Sequence, residues 1–548
     1  MVHKGVFAMK YLMKSFLYTL LLLLILGFAS TMYLGLDNNG PDSLDTALET
    51  AQIDEEIGFE QVAAVIRTFV HRQFKIRTAN ENLAKYKREL ARGTPGEYSK
   101  VYKDLPQEGP YATRDVHRKT HGCYKGELSI NESLQQDFNT ATEKIRQERA
   151  SEQTQGLNKP GPMPSILANS DDLGIFQPGS HHDVIVRYSN GHPMNRPDKL
   201  PDARGFAVKI LAPGTMQHNL PLHEQDSGSL NRSTSLDILS INFPTFFVNE
   251  RRTALKYTEI NEFFLDSAVD FGNPITGKLR EGLSILSTGI GAMEIRQALW
   301  VNGSIIQSPL YQEYFSMVPS RLGPTGARRA VKYFWRPEAC PGQEQDFNAE
   351  QAQQWPKWSQ VRSYADIFSP RTKYTTPPFD DHLSNDYPAN YLRKNLQQSL
   401  SQKDFCYGLY LQPYRDQLST NIEDSTDIWF RSERERDEWI SSVVPSPGNP
   451  LWKIYSGERA SYLKRIYQKR VSPPVKAGTL RILKINDQDI VGNSKVCEDL
   501  SFNPWNGNIS YHKPLGVISR LKRRVYNASR KARHLLNGFS DTSFERAR

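Results

Sequence analysis

The chain has 548 residues, 38% of them hydrophobic, and a mean hydropathy of −0.58. That leaves ample length for a core and excludes a polytopic membrane protein. The net charge of +9 is spread along the chain except near the C-terminus, and no zinc-knuckle spacing, Walker loop or RNA-recognition signature is present, so nucleic acid is not an expected partner.

The N-terminus comes first. From Phe16 to Leu36 the sequence FLYTLLLLLILGFASTMYLGL carries no charge, and its 21 residues are enough to cross about 30 Å of hydrocarbon as a helix. Lys4, Lys10 and Lys14 precede it; Asp37, Asp42 and Asp45 follow. The positive-inside rule predicts residues 1–15 in the cytoplasm, a single-pass signal-anchor over 16–36, and the large domain on the extracytoplasmic side. Small residues in GFAST leave signal cleavage and secretion as the alternative. Residues 37–113 read as stalk and lead-in: an acidic stretch (37–55), a helix over 57–90, and Gly/Pro-broken coil (91–113). The helix rests on Val62, Val65, Ile66, Phe69, Val70 and Phe74 at helical spacing.

From 114 the texture changes. ELSI, HHDVIVRYSN, GFAVKIL, DILSINFPTFFV, RRAVKYFW and FCYGLYLQPY are short β-branched or aromatic runs bounded by turn residues. They predict one closed or strongly curved antiparallel sheet within a domain spanning 114–538, followed by a tail over 539–548. Helices are expected over 253–299, 384–402 and 516–537. Cys123, Cys340, Cys406 and Cys497 allow up to two disulfides in an exported domain, with three possible pairings. Asn-x-Ser sequons stand at Asn131, Asn231, Asn302, Asn508 and Asn527.

Two segments carry candidate chemistry. RDVHRKTHGCYKG (114–126) packs Arg114, His117, Lys119, His121 and Cys123 together. Taken by itself it reads as a solvated basic loop or as one wall of a site; Cys123 reads as structural, with an oxidisable thiol as the alternative. In the C-terminal helix, Tyr526, Ser529 and Arg533 fall on one face, two turns from end to end, with Lys522, Arg523, Arg524 and Arg530 around them. Read without its context, that is a basic amphipathic helix with Tyr526 at the core edge.

Taken in order, these blocks resemble the haem catalase superfamily, in its divergent catalase-related branch. VIVRYSNGHPMNRPDKLPDARGFAVKIL (184–211) is similar to that family's second block, DILSINFPTFFV (237–248) to the strand after it, and RDVHRKTHGCYKG to the preceding block bearing the distal histidine. SPLYQEYFSMVPSRLGP with RRAVKYFWRP (308–337) and LSFNPWNG with HKPLGVISRLKRRVYNAS (500–537) look like the divergent branch. The resemblance implies an α+β fold: an antiparallel β-barrel with surrounding helices, enclosing haem b. It implies Tyr526 as axial iron ligand and His117 as distal base, with His121 as rival. Ser189 would fix the imidazole, and Arg114, Arg187 and Arg533 would contact the propionates. The family's arginine one turn before the tyrosine falls on Lys522, which supplies charge without a planar fork. Asn242 is the candidate for the distal amide, but Ile241 takes that place when the run is aligned on Pro244; which of the two faces the haem is open. The implied function is acid/base-assisted O–O cleavage of hydrogen peroxide or an organic hydroperoxide. The alternatives are an allene-oxide-type rearrangement of a lipid hydroperoxide and a non-catalytic haem-binding or sensing module. The implied partners are that substrate and, through residues 16–36, a membrane.

Overall fold

The computed structural model describes, with a few gaps, residues 112–155, 163–191, 202–211, 236–246, 306–347, 390–443, 468–487 and 500–537, with single residues such as Gln73, Asp198 and Cys497 between them. The apolar run over 16–36, the acidic stretch over 37–55, the helix expected over 253–299 and the tail over 539–548 lie outside the described residues. Among the described residues no helix is long and apolar enough to cross a membrane.

Nine strands form one sheet: β1 (Thr120–Ile130), β2 (His181–Asn190), β3 (Arg204–Ile210), β4 (Leu236–Ile241), β5 (Tyr314–Phe315), β6 (Ser320–Arg321), β7 (Ala330–Glu338), β8 (Phe405–Pro413) and β9 (Val475–Ile482). The order is β5-β4-β3-β2-β1-β9-β8-β7-β6, and β5 also pairs with β7. That last pairing closes eight strands into an antiparallel barrel, with β6 appended to β7, so the eight have no free edge.

The strands alternate, but both of their faces are buried. Val184, Val186 and Tyr188 of β2, Phe206, Val208 and Ile210 of β3, and Val331, Tyr333 and Trp335 of β7 share the inner core. Each such side chain contributes about 1.5–3 kcal/mol through burial. The interior is aromatic: Phe206 stacks on Tyr314 with centroids 4.6 Å apart, and Tyr188 donates to the Tyr407 hydroxyl at 3.1 Å. Burial pushes both of these tyrosine hydroxyls far up, so they stay neutral. The residues between, such as Ile185, Arg187, Ser189, Gly205 and Ala207, face outward. Part of that outer face is covered by an apolar cluster of Cys123, Ile185, Leu211, Cys497, Leu500 and Phe502.

Several elements differ from the sequence reading. The basic stretch after Arg114 is strand from Thr120 onward, with a register shift between Thr120 and Gly122. Helix α1 (Leu134–Thr154) carries no simple apolar period, because its buried stripe of Leu134, Phe138, Thr142, Ile145 and Arg149 includes a threonine and an arginine. Strand β9 runs unbroken through Gly478, where a Cβ would collide with the Ser129 carbonyl of β1. Helix α2 (Tyr391–Gln402) occupies the C-terminal part of the predicted 384–402, and α3 (Glu433–Val443) lies between β8 and β9. The final helix, α4 (Val517–Leu536), matches its prediction closely. Residues described between 63 and 73 are helical, and Gln73 donates to Ser529 of α4 at 2.9 Å, tying the lead-in to the last helix.

The cysteines pair as Cys123–Cys497 and Cys340–Cys406. Cys123 is structural, as expected, and the alternative of an oxidisable thiol falls away because its sulfur is bonded and buried.

Candidate functional site

His117 sits on the loop that enters β1, with a left-handed φ of 60° that costs a non-glycine residue backbone strain. Its main chain is held at both ends. His117 N–H donates to Gly191 O at 3.2 Å, and Arg187 donates through Nη2 to His117 O at 2.8 Å. The ring Nδ1 lies 3.3 Å from Ser189 Oγ on β2. Room for both comes from β3: a Cβ on Gly205 would stand 2.5 Å from each of those two atoms.

Electrostatics keep this imidazole neutral. Its pKa is lowered to about 3, first by burial and then by the charges of Arg187 and Lys522, with a smaller push from Arg114; the Asn190 carbonyl works the other way. No carboxylate is among these influences. Lys522 lies on α4, and its ammonium stands over the Phe246 ring at 4.9 Å. It has no ion-pair partner among the described residues, and burial brings its pKa down to about 8.

The neighbouring arginines converge on one segment of main chain. Arg114 donates to Cys497 O at 3.1 Å and to Leu500 O, and Arg533 reaches the same Leu500 carbonyl at 3.4 Å. The Cys123–Cys497 bridge fixes that segment to β1, six residues past His117. The first and last of the sequence blocks therefore meet here through Arg114 and Arg533, both on the Leu500 carbonyl.

Tyr526 is half buried, one helical turn after Lys522, and Ser529 and Arg533 continue the same side of α4. Asn242 is brought to the backbone of Arg204: its Oδ1 accepts from Arg204 N at 2.7 Å, and its own N–H donates to Arg204 O at 3.0 Å. Ile241 is the direct cross-strand partner of Gly205, which itself pairs with Ser189. Directly opposed residues share a face, so Ile241 stands on the outer row that carries Ser189 and is buried there. His121 is apart from this group, inside a buried polar cluster with Asn190 and Asp198.

Sequence reasoning missed Gly205, Asn190 and Asp198. A glycine inside a strand pattern signals close approach and pointed to Gly205; nothing local marks Asp198, which acts from a loop. Among the described residues no cluster of His, Cys, Asp and Glu could hold a metal ion. A tyrosinate-ligated haem needs no such cluster, since its one protein ligand is a phenol.

Comparison with known proteins adds little. No family model matches the chain, and no curated protein matches it. A solved structure described as a bacterial catalase is similar at 14% identity over 83% of this chain and 59% of that one, with a TM-score of 0.38, a likeness too weak to carry an argument about chemistry.

Proposed function

We propose that the outer face of the barrel around His117 is a haem site at which a peroxide O–O bond is cleaved. One observation carries this reading: blocks that resemble the haem catalases, far apart in sequence, come together around a single neutral histidine. His117 and Ser189 meet above Gly205, with the charge of Lys522 at hand and Arg114 and Arg533 converging on Leu500.

The donor set fits haem b. Arg114, Arg187 and Arg533 offer guanidinium groups, whose planar fork matches a carboxylate, for the two haem propionates. Tyr526 offers a phenol oxygen for iron, with Lys522 one turn away to favour the ionised form. The cationic surroundings of His117, with Arg187, Lys522 and Arg114 all acting on its ring, suit a dianionic ligand. Bound haem would supply an iron centre able to accept an oxygen atom from a peroxide.

The chain's own residues supply the proton handling. In the tautomer with its proton on Nδ1, beside Ser189 Oγ, His117 carries a lone pair on Nε2. It takes the proton from the near oxygen of the peroxide and returns it to the far oxygen, so that water or an alcohol leaves. Burial keeps the ring neutral at neutral pH, so it is unprotonated before a peroxide binds.

Ile241 on the outer row makes the wall beside His117 apolar. This favours an organic hydroperoxide over hydrogen peroxide, and it keeps rearrangement of a lipid hydroperoxide as a second reading. An anchor over residues 16–36 with the domain outside the cytoplasm would place the site beside such substrates. The test is an oxygen-electrode and product assay of purified protein with hydrogen peroxide and with a fatty-acid hydroperoxide. Consumption of the organic peroxide without oxygen release is expected. Rapid oxygen release from hydrogen peroxide would reverse the preference, and absence of turnover with either would leave only a binding module.

A further inference from the structure

Behind the His117 loop lies a closed polar cluster that the proposed chemistry does not use. His121 is 1% exposed, and Lys119, Asn190 and Asp198 are fully buried. Lys119 Nζ pairs with Asp198 Oδ1 at 2.5 Å, and the other oxygen of Asp198 accepts from Leu392 N of α2 at 3.1 Å. Arg204 donates to the Asp198 carbonyl at 3.2 Å. The cluster thus joins β1, β3, α2 and the loop carrying Asp198.

Asn190 links this cluster to His117. Its backbone N–H donates to Lys119 O at 2.9 Å, and its backbone carbonyl faces the His117 ring. Its side chain is fixed by three neighbours. Nδ2 donates to Asp198 Oδ1 at 3.3 Å, and Oδ1 receives Arg204 Nη1 and stands 2.8 Å from His121 Nε2. An amide oxygen only accepts, so His121 carries its proton on Nε2 and donates it. Its Nδ1 has no hydrogen-bond partner among the described residues.

We propose that Asn190, with His121, Asp198, Lys119 and Arg204 behind it, is a positioning device for the His117 imidazole, and that His121 serves it as a fixed donor and not as a second base. The physical need is clear. His117 holds a strained backbone conformation, which persists only where its surroundings over-determine it. The main-chain bond to Gly191 and the Asn190 carbonyl both come from the C-terminal end of β2, which the Asn190 side chain holds in place. A buried network with most of its polar atoms satisfied is stiff, and stiffness is what an oriented base requires.

The inference rests on His117 being the working base, but its test does not depend on turnover. Hydrogen–deuterium exchange at the histidine C2 position, read by mass spectrometry on the full-length protein, reports the His117 ring directly. His121→Leu removes the donor, and His121→Gln keeps an N–H that can reach Asn190 Oδ1. Exchange at His117 should become at least about threefold faster in His121→Leu and stay near wild type in His121→Gln, because local opening governs the rate. If His121→Leu does not fold, Asn190→Ala carries the same expectation, since it removes the acceptor and keeps the backbone carbonyl. A folded His121→Leu or Asn190→Ala protein with wild-type exchange at His117 would overturn the proposal. So would an equal effect of His121→Gln and His121→Leu, which would make volume and not hydrogen bonding the cause.

Discussion

Gly205 gives His117 its place: a single added carbon on Gly205 would stand 2.5 Å from His117 Nδ1 and 2.5 Å from Ser189 Oγ. Both neighbours are held by main chain, so neither yields easily. Gly205→Ala should therefore push the imidazole off Ser189 while leaving the barrel closed. Overpacking of this kind costs about 1–3 kcal/mol. Urea denaturation should show that loss together with a peroxide rate well below wild type. A variant with unchanged rate and stability would mean that the ring has another place to go.

The antiparallel barrel was legible in the sequence, and the strand that links β1 to β8 was not. HHDVIVRYSN and RRAVKYFW announce strands through β-branched and aromatic runs, and they became β2 and β7. VKAGTLRI hides β9 because Gly478 must be small to approach Ser129, so packing removed the hydrophobic signal. Without β9 the ring has no link between β1 and β8. At the site, His117, Ser189 and Ile241 were read from motif order. Asp198 acts from a loop through a carboxylate pairing 79 residues away in sequence, which no local pattern encodes.

Acid should weaken the fold. His117, His121 and His512 each have a pKa lowered to about 3, with burial the leading cause in every case. The unfolded chain binds their protons near pH 6.5, and the folded chain resists until about pH 3. Their contribution to stability is therefore complete above about pH 6.5 and is lost as pH falls from there towards 3. Urea midpoints measured from pH 8 to pH 4 should fall on the acid side. His117→Gln, with one titrating group fewer, should give a shallower fall; an identical slope would contradict the low pKa of His117.

The Cys123–Cys497 bridge spans 374 residues and joins β1 to the carbonyls that receive Arg114 and Arg533. Replacing both cysteines by alanine should cost about 2–5 kcal/mol, as for native disulfides generally. It should also weaken haem retention, because the Leu500 segment loses its tether. Replacing Cys340 and Cys406, which join the ends of β7 and β8, should lower stability without that second effect. Equal haem retention in the two double variants would separate the Cys123–Cys497 bridge from the site.

The proposed anchor over residues 16–36, with the large domain outside the cytoplasm, has its own test. Protease added to intact cells should digest the domain beyond residue 113 and spare a tag placed before residue 16. Protection of the large domain in intact cells, with digestion after lysis, would reverse the orientation.

The central claim is that this chain binds haem through Tyr526, and the visible absorption spectrum of purified protein beside Tyr526→Phe tests it most directly. An ionised phenol is a hard oxygen donor that favours ferric iron. Removing one oxygen leaves the volume of the side chain almost unchanged, so the variant should fold as wild type does. The account predicts a high-spin ferric haem spectrum in wild type, and haem that is lost or spectrally altered in Tyr526→Phe but not in Tyr511→Phe. Wild-type protein that takes up no haem, or a Tyr526→Phe protein with full haem content and an unchanged ferric spectrum, would contradict it.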